Sequence, residues 1–331
     1  MLFYLSVLLL SSTADIAEVE HLAVQQRREI KSGEVVVRAQ YGDGRAIHLH
    51  IWWDGDSHRE DRFVGEYRDV QIWSGGRYLH WNNEPGDRPG AKLVATVASV
   101  KDTGVIGSRE PNDPRRIGMC PTDFLNLVHD PVDAFLSNPA RKETTSEPAQ
   151  QAGIDCTRVT MTNLHGATIR SWIANDRGFG VLKMEIEAGI GEKKRVSAVE
   201  TDLVLNEPSK IWFPTHFHSR SFLGETPQGE ALYRDEDGTV EVISLNEPIP
   251  PEVFTFAGVG VPIGWPVSDR TRPDVSGPQA WDGQAVVSVK RAADASRAAS
   301  RVNLVYLFGA ALLALVGAAL MWRVLFRRVA S

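Results

Sequence analysis

Ile47-His48-Leu49-His50-Ile51-Trp52-Trp53-Asp54-Gly55-Asp56 is the stretch on which the fold turns. Ile47, Leu49 and Ile51 alternate with His48 and His50, the two-residue period of a half-buried strand, and Asp54-Gly55-Asp56 supplies the turn that ends it. Upstream, Val35-Val36-Val37 leads to Tyr41 and Gly42-Asp43-Gly44 turns the chain back, so the two segments read as a hairpin. Downstream the rhythm repeats: a strand from Arg59 to Phe63, another from Val70 to Trp73, a turn at Ser74-Gly75-Gly76 and a return from Tyr78 to Trp81. A parallel connection needs roughly a dozen residues or more, and none of these is so long, so the meander is antiparallel. Ahead of it, Ile16, Val19, Ala23, Gln26 and Ile30 mark a helical stripe for which Gly33 serves as the C-terminal cap.

Residues 112–150 break this pattern, with short helical pieces expected at 123–128 and 132–136 and a polar, flexible loop at 138–151. Strand signals resume over 154–161, 168–174, 180–187, 195–205, 211–219, 231–234 and 239–245, with turns read at Asn175-Asp176-Arg177-Gly178 and Asp235-Glu236-Asp237-Gly238. About a dozen strands with few helices predict a mainly β protein whose antiparallel sheet is barrel-like, open or closed. Residues 269–301, rich in Pro, Gly, Ala and charge, read as a flexible linker.

The two ends carry separate apolar segments. Leu2 to Leu10 is apolar except for Ser6, too short for a bilayer core of about 30 Å but suited to a signal peptide over 1–14, with Ser12 and Ala14 where a signal peptidase reads and cleavage before Asp15. The C-terminal segment 302–322 is expected to be a transmembrane helix: its part from Leu304 to Trp322 is uncharged and, at about 1.5 Å per residue, covers about 28 Å. Tyr306 and Trp322 suit interfacial anchors, and Arg323, Arg327 and Arg328 put the tail 323–331 in the cytoplasm and the domain 15–268 outside it, a single-pass protein of the cell membrane with a periplasmic domain. Only Cys120 and Cys156 occur. In an oxidising compartment they are expected to pair, the other reading being two separate buried thiols. A net charge of −6, with scattered Lys and Arg, excludes a nucleic-acid footprint.

Motifs for covalent chemistry are missing: there is no G-x-S-x-G elbow, no H-E-x-x-H and no Walker loop, and Gly258-Val259-Gly260 is too short for a dinucleotide fingerprint. No enzyme is expected and no cofactor is implied. His48/His50 and His216/His218 would each project from one face of a strand and could share an ion, but no further ligand at a recognisable spacing completes a metal site, so they read as solvent-facing stripes. Asp54, Asp56, Glu60 and Asp61 could hold Ca²⁺, yet acidic hairpin tips are ordinarily solvated turns. Aromatic residues are the remaining candidates. Trp52, Trp73, Trp81, Trp172, Trp212 and Phe217, with Trp53, Tyr78 and Phe213 beside them, fall on expected strands and on one concave face would line an apolar pocket for acyl chains; otherwise they fill a core.

The helix-to-strand run Ile30-Lys31-Ser32-Gly33-Glu34-Val35, the stretch from Ile51 to Asp56 leading to Arg59, and Val70 to Trp73 with Ser74-Gly75-Gly76-Arg77-Tyr78 form an ordered set of features. Ile211-Trp212-Phe213-Pro214-Thr215 and the segment from Leu245 through Pro248 and Pro251 to Phe254 complete it. In this order they resemble the LolA/LolB-like lipoprotein-carrier superfamily, which includes the periplasmic regulator of the sigma-E response. The resemblance covers most of 15–268 and consists of fold-level rhythms. It implies an unclosed antiparallel half-barrel, lidded by helices, that binds lipid or lipoprotein acyl groups without covalent chemistry. Carriers of that family are soluble or lipid-anchored, so a transmembrane tether implies a stationary binding protein. An envelope sensor or scaffold with a partner protein is the second function, and a metal-dependent enzyme using the His pairs the third.

Overall fold

The computed structural model describes residues 16–83, 94–101, 111–119, 141–163, 166–190, 193–226, 229–272, 277–294 and 297. The expected signal peptide, the helical pieces at 123–128 and 132–136, Cys120, the transmembrane segment and the tail all lie outside them. Among the described residues no helix is long and apolar enough to cross a membrane.

One helix, α1 (Ile16–Arg28), opens the described chain, and nearly everything after it is strand. β1 (Ser32–Tyr41), β2 (Ala46–Asp54), β3 (Ser57–Val64), β4 (Tyr67–Ser74), β5 (Arg77–Asn82) and β6 (Ala95–Ser99) form the first meander. β7 (Arg141–Gln151), β8 (Ile154–Asn163), β9 (Thr168–Ala174), β10 (Gly180–Ile190), β11 (Lys193–Asn206), β12 (Ile211–Thr226) and β13 (Gly229–Leu245) form the second. Three short strands, β14 (Pro266–Asp269), β15 (Gln279–Trp281) and β16 (Val286–Ser288), finish it. All sixteen belong to one unclosed sheet, ordered β16-β15-β14-β6-β5-β4-β3-β2-β1-β13-β12-β11-β10-β9-β8-β7.

The first strand is the seam. β1 pairs antiparallel with β2 on one side and with β13 on the other, setting Val37 beside both Leu49 and Val240. Alternation then sends Val35, Val37, Ala39 and Tyr41, together with Ile47, Leu49, Ile51 and Trp53, to one face, where they share a core with α1 and with residues from β8 to β13. The body of α1 lies against β7, β8, β9 and β10, while the chain a few residues past its end enters β1. At about 20 Å long, α1 lies across the sheet face whose core residues come from β1, β2 and β8–β13.

Several sequence readings change here. Gly33 does not cap α1 but is the second residue of β1, opposite Trp53, and a Cβ there would lie 2.4 Å from the indole Cζ2. Residues 141–151, read as a loop, form the edge strand β7; Pro148 is tolerated because one side of an edge strand has no neighbour to receive its N–H. The turn expected at 235–238 is the middle of β13, where Gly238 leaves room for the ring of Phe217. The sheet is not wholly antiparallel, since β14 runs parallel to β6. Residues 279–288, assigned above to a linker, extend the sheet as β15 and β16, with Ala280 and Trp281 buried.

The outer face of β2–β6 is covered as well. A strap of chain after β13 brings Ile249, Phe254, Phe256, Val259 and Val261 against Val70, Ile72, Trp81 and Val97. It is fixed by a buried ionic cluster: Asp61 accepts hydrogen bonds from Arg59 and Arg68, Arg59 also donates to the carbonyls of Val253 and Gly258, and Arg68 donates to that of Val259.

Candidate functional site

The six expected aromatic residues do not converge. Trp52 points to the outer face, stacked on His50 at 3.7 Å between ring centroids with the Arg59 guanidinium 4.5 Å over its ring. It joins the strap cluster that also holds Trp81, which meets Trp265 edge-on. Trp73 packs with Tyr78 and Ala98 in a small cluster of its own. Trp172 sits with Cys156 and Leu203 in a third group, against which Trp212 packs. Phe217 alone belongs to the main core. Large side chains occupy that core: Phe213 is fully buried, Trp53 is 2% exposed and Met184 is fully buried.

Cys156 is a free, buried thiol and not half of the expected disulfide; burial first, then the neighbouring Asp155 charge, raises its pKa. Each histidine of the expected pairs except His48 has its own carboxylate: His50 with Glu34 at 2.8 Å, His216 with Asp237 at 3.1 Å and His218 with Asp235 at 2.6 Å. The acidic hairpin residues diverge too, Asp61 into the ionic cluster and Glu60 to an amide of Asn112 at 2.8 Å. Among the described residues no group of three or more His, Cys, Asp and Glu side chains is placed to hold a metal ion.

Three clefts of the described surface concern these residues. The widest of the three, about 630 Å³, lies at the ends of β1–β3 and mixes Arg38, His48 and Asp237 with Ile47 and Phe63. The other two, about 390 Å³ and 240 Å³, adjoin along Asp113, Arg115 and Arg116. None of the six expected aromatic residues lines any of them.

The 390 Å³ cleft is built by two short pieces of backbone. The last turn of α1 contributes Arg27 and Arg28, cations placed where the helix dipole favours them, and Lys31 follows as the chain leaves the helix. Facing them is a 3-10 turn, Pro114–Arg116, started by Asp113: its carboxylate accepts from the backbone N–H of Arg115, and Pro114 occupies a position that has no N–H to satisfy. Val24 and Met119 are the apolar part of the lining.

Arg115 closes a bidentate pair on Asp113, with Nε to Oδ1 at 2.8 Å and Nη2 to Oδ2 at 2.9 Å, and its Nη1 donates to the carbonyl of Ile30, tying the turn to the end of α1. Burial pushes the Asp113 carboxyl upward, but hydrogen bonds and charge from Arg115, helped by His58, outweigh it and hold the pKa below the usual range. Arg27 is the anomaly. It is 4% exposed, its guanidinium lies 5.3 Å over the ring of Phe213, and among the described residues neither Nη1 nor Nη2 has a hydrogen-bond partner. Burial lowers its pKa to about 10 against the opposing charge of Asp113, so it remains a cation at neutral pH. In the adjoining cleft His58 is buried edge-on to Trp73, its pKa lowered to about 4 by burial, and its Nε2 also lacks a partner.

Sequence reading passed over these residues. Arg27-Arg28 reads as an ordinary helix end and Asp113-Pro114-Arg115-Arg116 as an ordinary turn; the one local signal is that both carry paired arginines.

No protein-family model matches the chain, and no curated protein matches it. Among solved structures it is similar to the crystal structure of MucB in complex with MucA(peri), at 9% sequence identity over 69% of this chain and 94% of that one, with a TM-score of 0.22. A likeness at that level carries no conclusion about ligand or partner.

Proposed function

We propose that this chain is a non-catalytic binding module that recognises an anionic group at the cleft between the end of α1 and the 113–116 turn. It works outside the cytoplasm, within reach of the membrane that segment 302–322 would span. The observation that carries this reading is Arg27, a buried cation whose Nη1 and Nη2 have no hydrogen-bond partner among the described residues, lining a cleft to which those residues also contribute Arg28, Lys31, Arg115, Arg116 and one carboxylate, Asp113. Burying an uncompensated charge is expensive, by several kcal/mol, and an anion from solution is the natural compensation.

Acyl carriage, which the family resemblance implies, needs an apolar void. The described interior is instead occupied by residues such as Leu49, Ile51, Phe213 and Met184, all fully buried, so recognition at the surface cleft is the better reading. Calorimetric titration of the purified full chain in neutral detergent with citrate, inorganic phosphate and an Asp/Glu-rich peptide tests it. At least one should bind saturably, and binding should weaken in Arg27→Met. Silence from all three anions removes the proposal, and stoichiometric lipid in organic extracts of the chain would restore the acyl reading.

A further inference from the structure

We infer that the anion recognised at this cleft is a carboxylate monoanion borne on an apolar group, received end-on by the Arg27 guanidinium. The inference rests on the anion-binding reading above and gives it a chemical class.

The first argument is charge. Arg115 is spent on both oxygens of Asp113 and on the Ile30 carbonyl, and Lys31 Nζ donates to the carbonyl of Arg28 at 2.8 Å. Arg28 and Arg116 are engaged in interactions of their own. Arg27 remains, a buried cation with no hydrogen-bond partner for Nη1 or Nη2 among the described residues. It stands in the last turn of α1, where the helix dipole supplies roughly half a negative charge. The charge left to balance is therefore no more than a single unit. A monoanion balances it, whereas a dianion would bring a second charge with no cation shown to meet it.

The second argument is geometry. Nη1 and Nη2 of a guanidinium present a planar fork whose two N–H bonds match the two oxygens of a carboxylate. The Phe213 ring, its centroid 5.3 Å from the Arg27 guanidinium carbon, takes one face of that plane, which leaves the edge for an acceptor. A phosphoryl group needs donors in three directions to use its terminal oxygens, and one fork offers a single plane.

The third argument is environment. Val24 and Met119 line the cleft and Phe213 lies under the cation, so any group bound beside Arg27 meets apolar walls. A strongly hydrated anion would lose its water to those walls without replacement. A carboxylate on an apolar group sets only its head at the fork and lays the rest against Val24 and Met119. A volume of about 390 Å³ leaves room for that group beside the head.

The test uses the full chain in neutral detergent at low ionic strength. It is titrated calorimetrically with benzoate, benzamide, acetate and inorganic phosphate, and with a short peptide ending in leucine, as free acid and as C-terminal amide. Benzoate should bind one to one and tighter than acetate, with benzamide and phosphate about tenfold weaker or more. Arg27→Met should weaken benzoate by roughly tenfold or more, and Arg27→Lys, which keeps the charge and loses the fork, by a smaller factor. Should Arg27→Met fail to fold, benzoate against benzamide on the unaltered chain still shows whether the carboxylate is read. Binding of the peptide acid alone, lost in its amide, also upholds the inference and assigns the source to a chain terminus, while binding of benzoate assigns it to free acids. The inference is overturned if benzamide or phosphate binds as tightly as benzoate, if acetate does so, or if acid binding is indifferent to Arg27. If phosphate or citrate binds through Arg27 while benzoate and the peptide acid do not, the anion cleft stands and this inference alone falls; if no anion binds, both fall.

Discussion

Burial acts on Arg27 and His58 with different outcomes, and both are measurable. Lowered to about 10, Arg27 stays charged at neutral pH, while His58, lowered to about 4, is neutral there. Above its unfolded value of 6.5, His58 is uncharged in both states and contributes nothing to the pH dependence. Between 6.5 and about 4 the unfolded chain takes up the proton and the folded chain does not, so stability falls as pH drops through that window. The loss is roughly 3 kcal/mol at most. Asp113, with its pKa lowered, adds its own loss only further into acid. Urea unfolding of His58→Phe, which keeps an aromatic ring against Trp73, should show a shallower decline over the same range; an undiminished decline would place the titration elsewhere. Neither residue is legible as special in the sequence. His58 sits beside a hairpin turn and Arg27 in the last turn of a helix, both positions that ordinarily face water. Their surroundings arrive from far along the chain: Phe213 of β12 lies under Arg27, and Asp113 acts on both by its charge.

At the scale of elements, β3 is where the sequence misleads most. Ser57-His58-Arg59-Glu60-Asp61-Arg62 has the composition of a solvated hairpin, yet His58, Arg59, Glu60 and Asp61 are all buried, because the strap covers one face of the strand and Asn112 with its neighbours covers the other. Alternation still operates: Arg59 and Asp61 face the strap, and the partners they need come from β4 and from the carbonyls of Val253 and Gly258. Such partners are invisible to any local window. Asp61 is 1% exposed and balances two arginines. Asp61→Asn keeps the shape and removes the charge, leaving that pair uncompensated, and should lower unfolding stability by about 3–5 kcal/mol. Limited proteolysis should then cut first within 249–265, since the strap loses its ionic fastening; a variant as stable and as resistant as the parent would show that the apolar contacts of the strap suffice. The polar strand β7 was missed for the opposite reason. Burial patterns mark strands only where one face is covered, and β7 is largely exposed at the sheet edge.

For the whole molecule, the antiparallel meanders and the mainly β architecture were legible because period-two alternation and turn residues are local signals, whereas those signals allowed the sheet to be open or closed. Two things were not legible: that β1 joins the meanders by pairing with β13, a contact between the start of the first meander and the end of the second, and which face each aromatic residue takes in the sheet. Trp52 and Trp53 are adjacent, so they necessarily point to opposite faces, and with both faces buried an aromatic count says nothing about a cavity. Whether the interior is filled can be decided by truncation. Leu49 on β2 and Met184 on β10 are both fully buried in the main core, away from the cationic cleft. In a packed interior each change to alanine removes apolar contacts and leaves a cavity, at about 2–5 kcal/mol apiece. In a hollow trough the same side chains would border open space and be only partly withdrawn from water, so the truncation would leave no new cavity and the loss would stay nearer 1 kcal/mol, well under the roughly 2.4 kcal/mol that full burial of the three removed groups is worth at about 0.8 kcal/mol each. Urea denaturation of Leu49→Ala and Met184→Ala, followed by tryptophan fluorescence, separates the two. Losses in the upper range for both variants favour the filled interior and place recognition at the surface; losses near 1 kcal/mol for both would return the acyl-binding trough to first place.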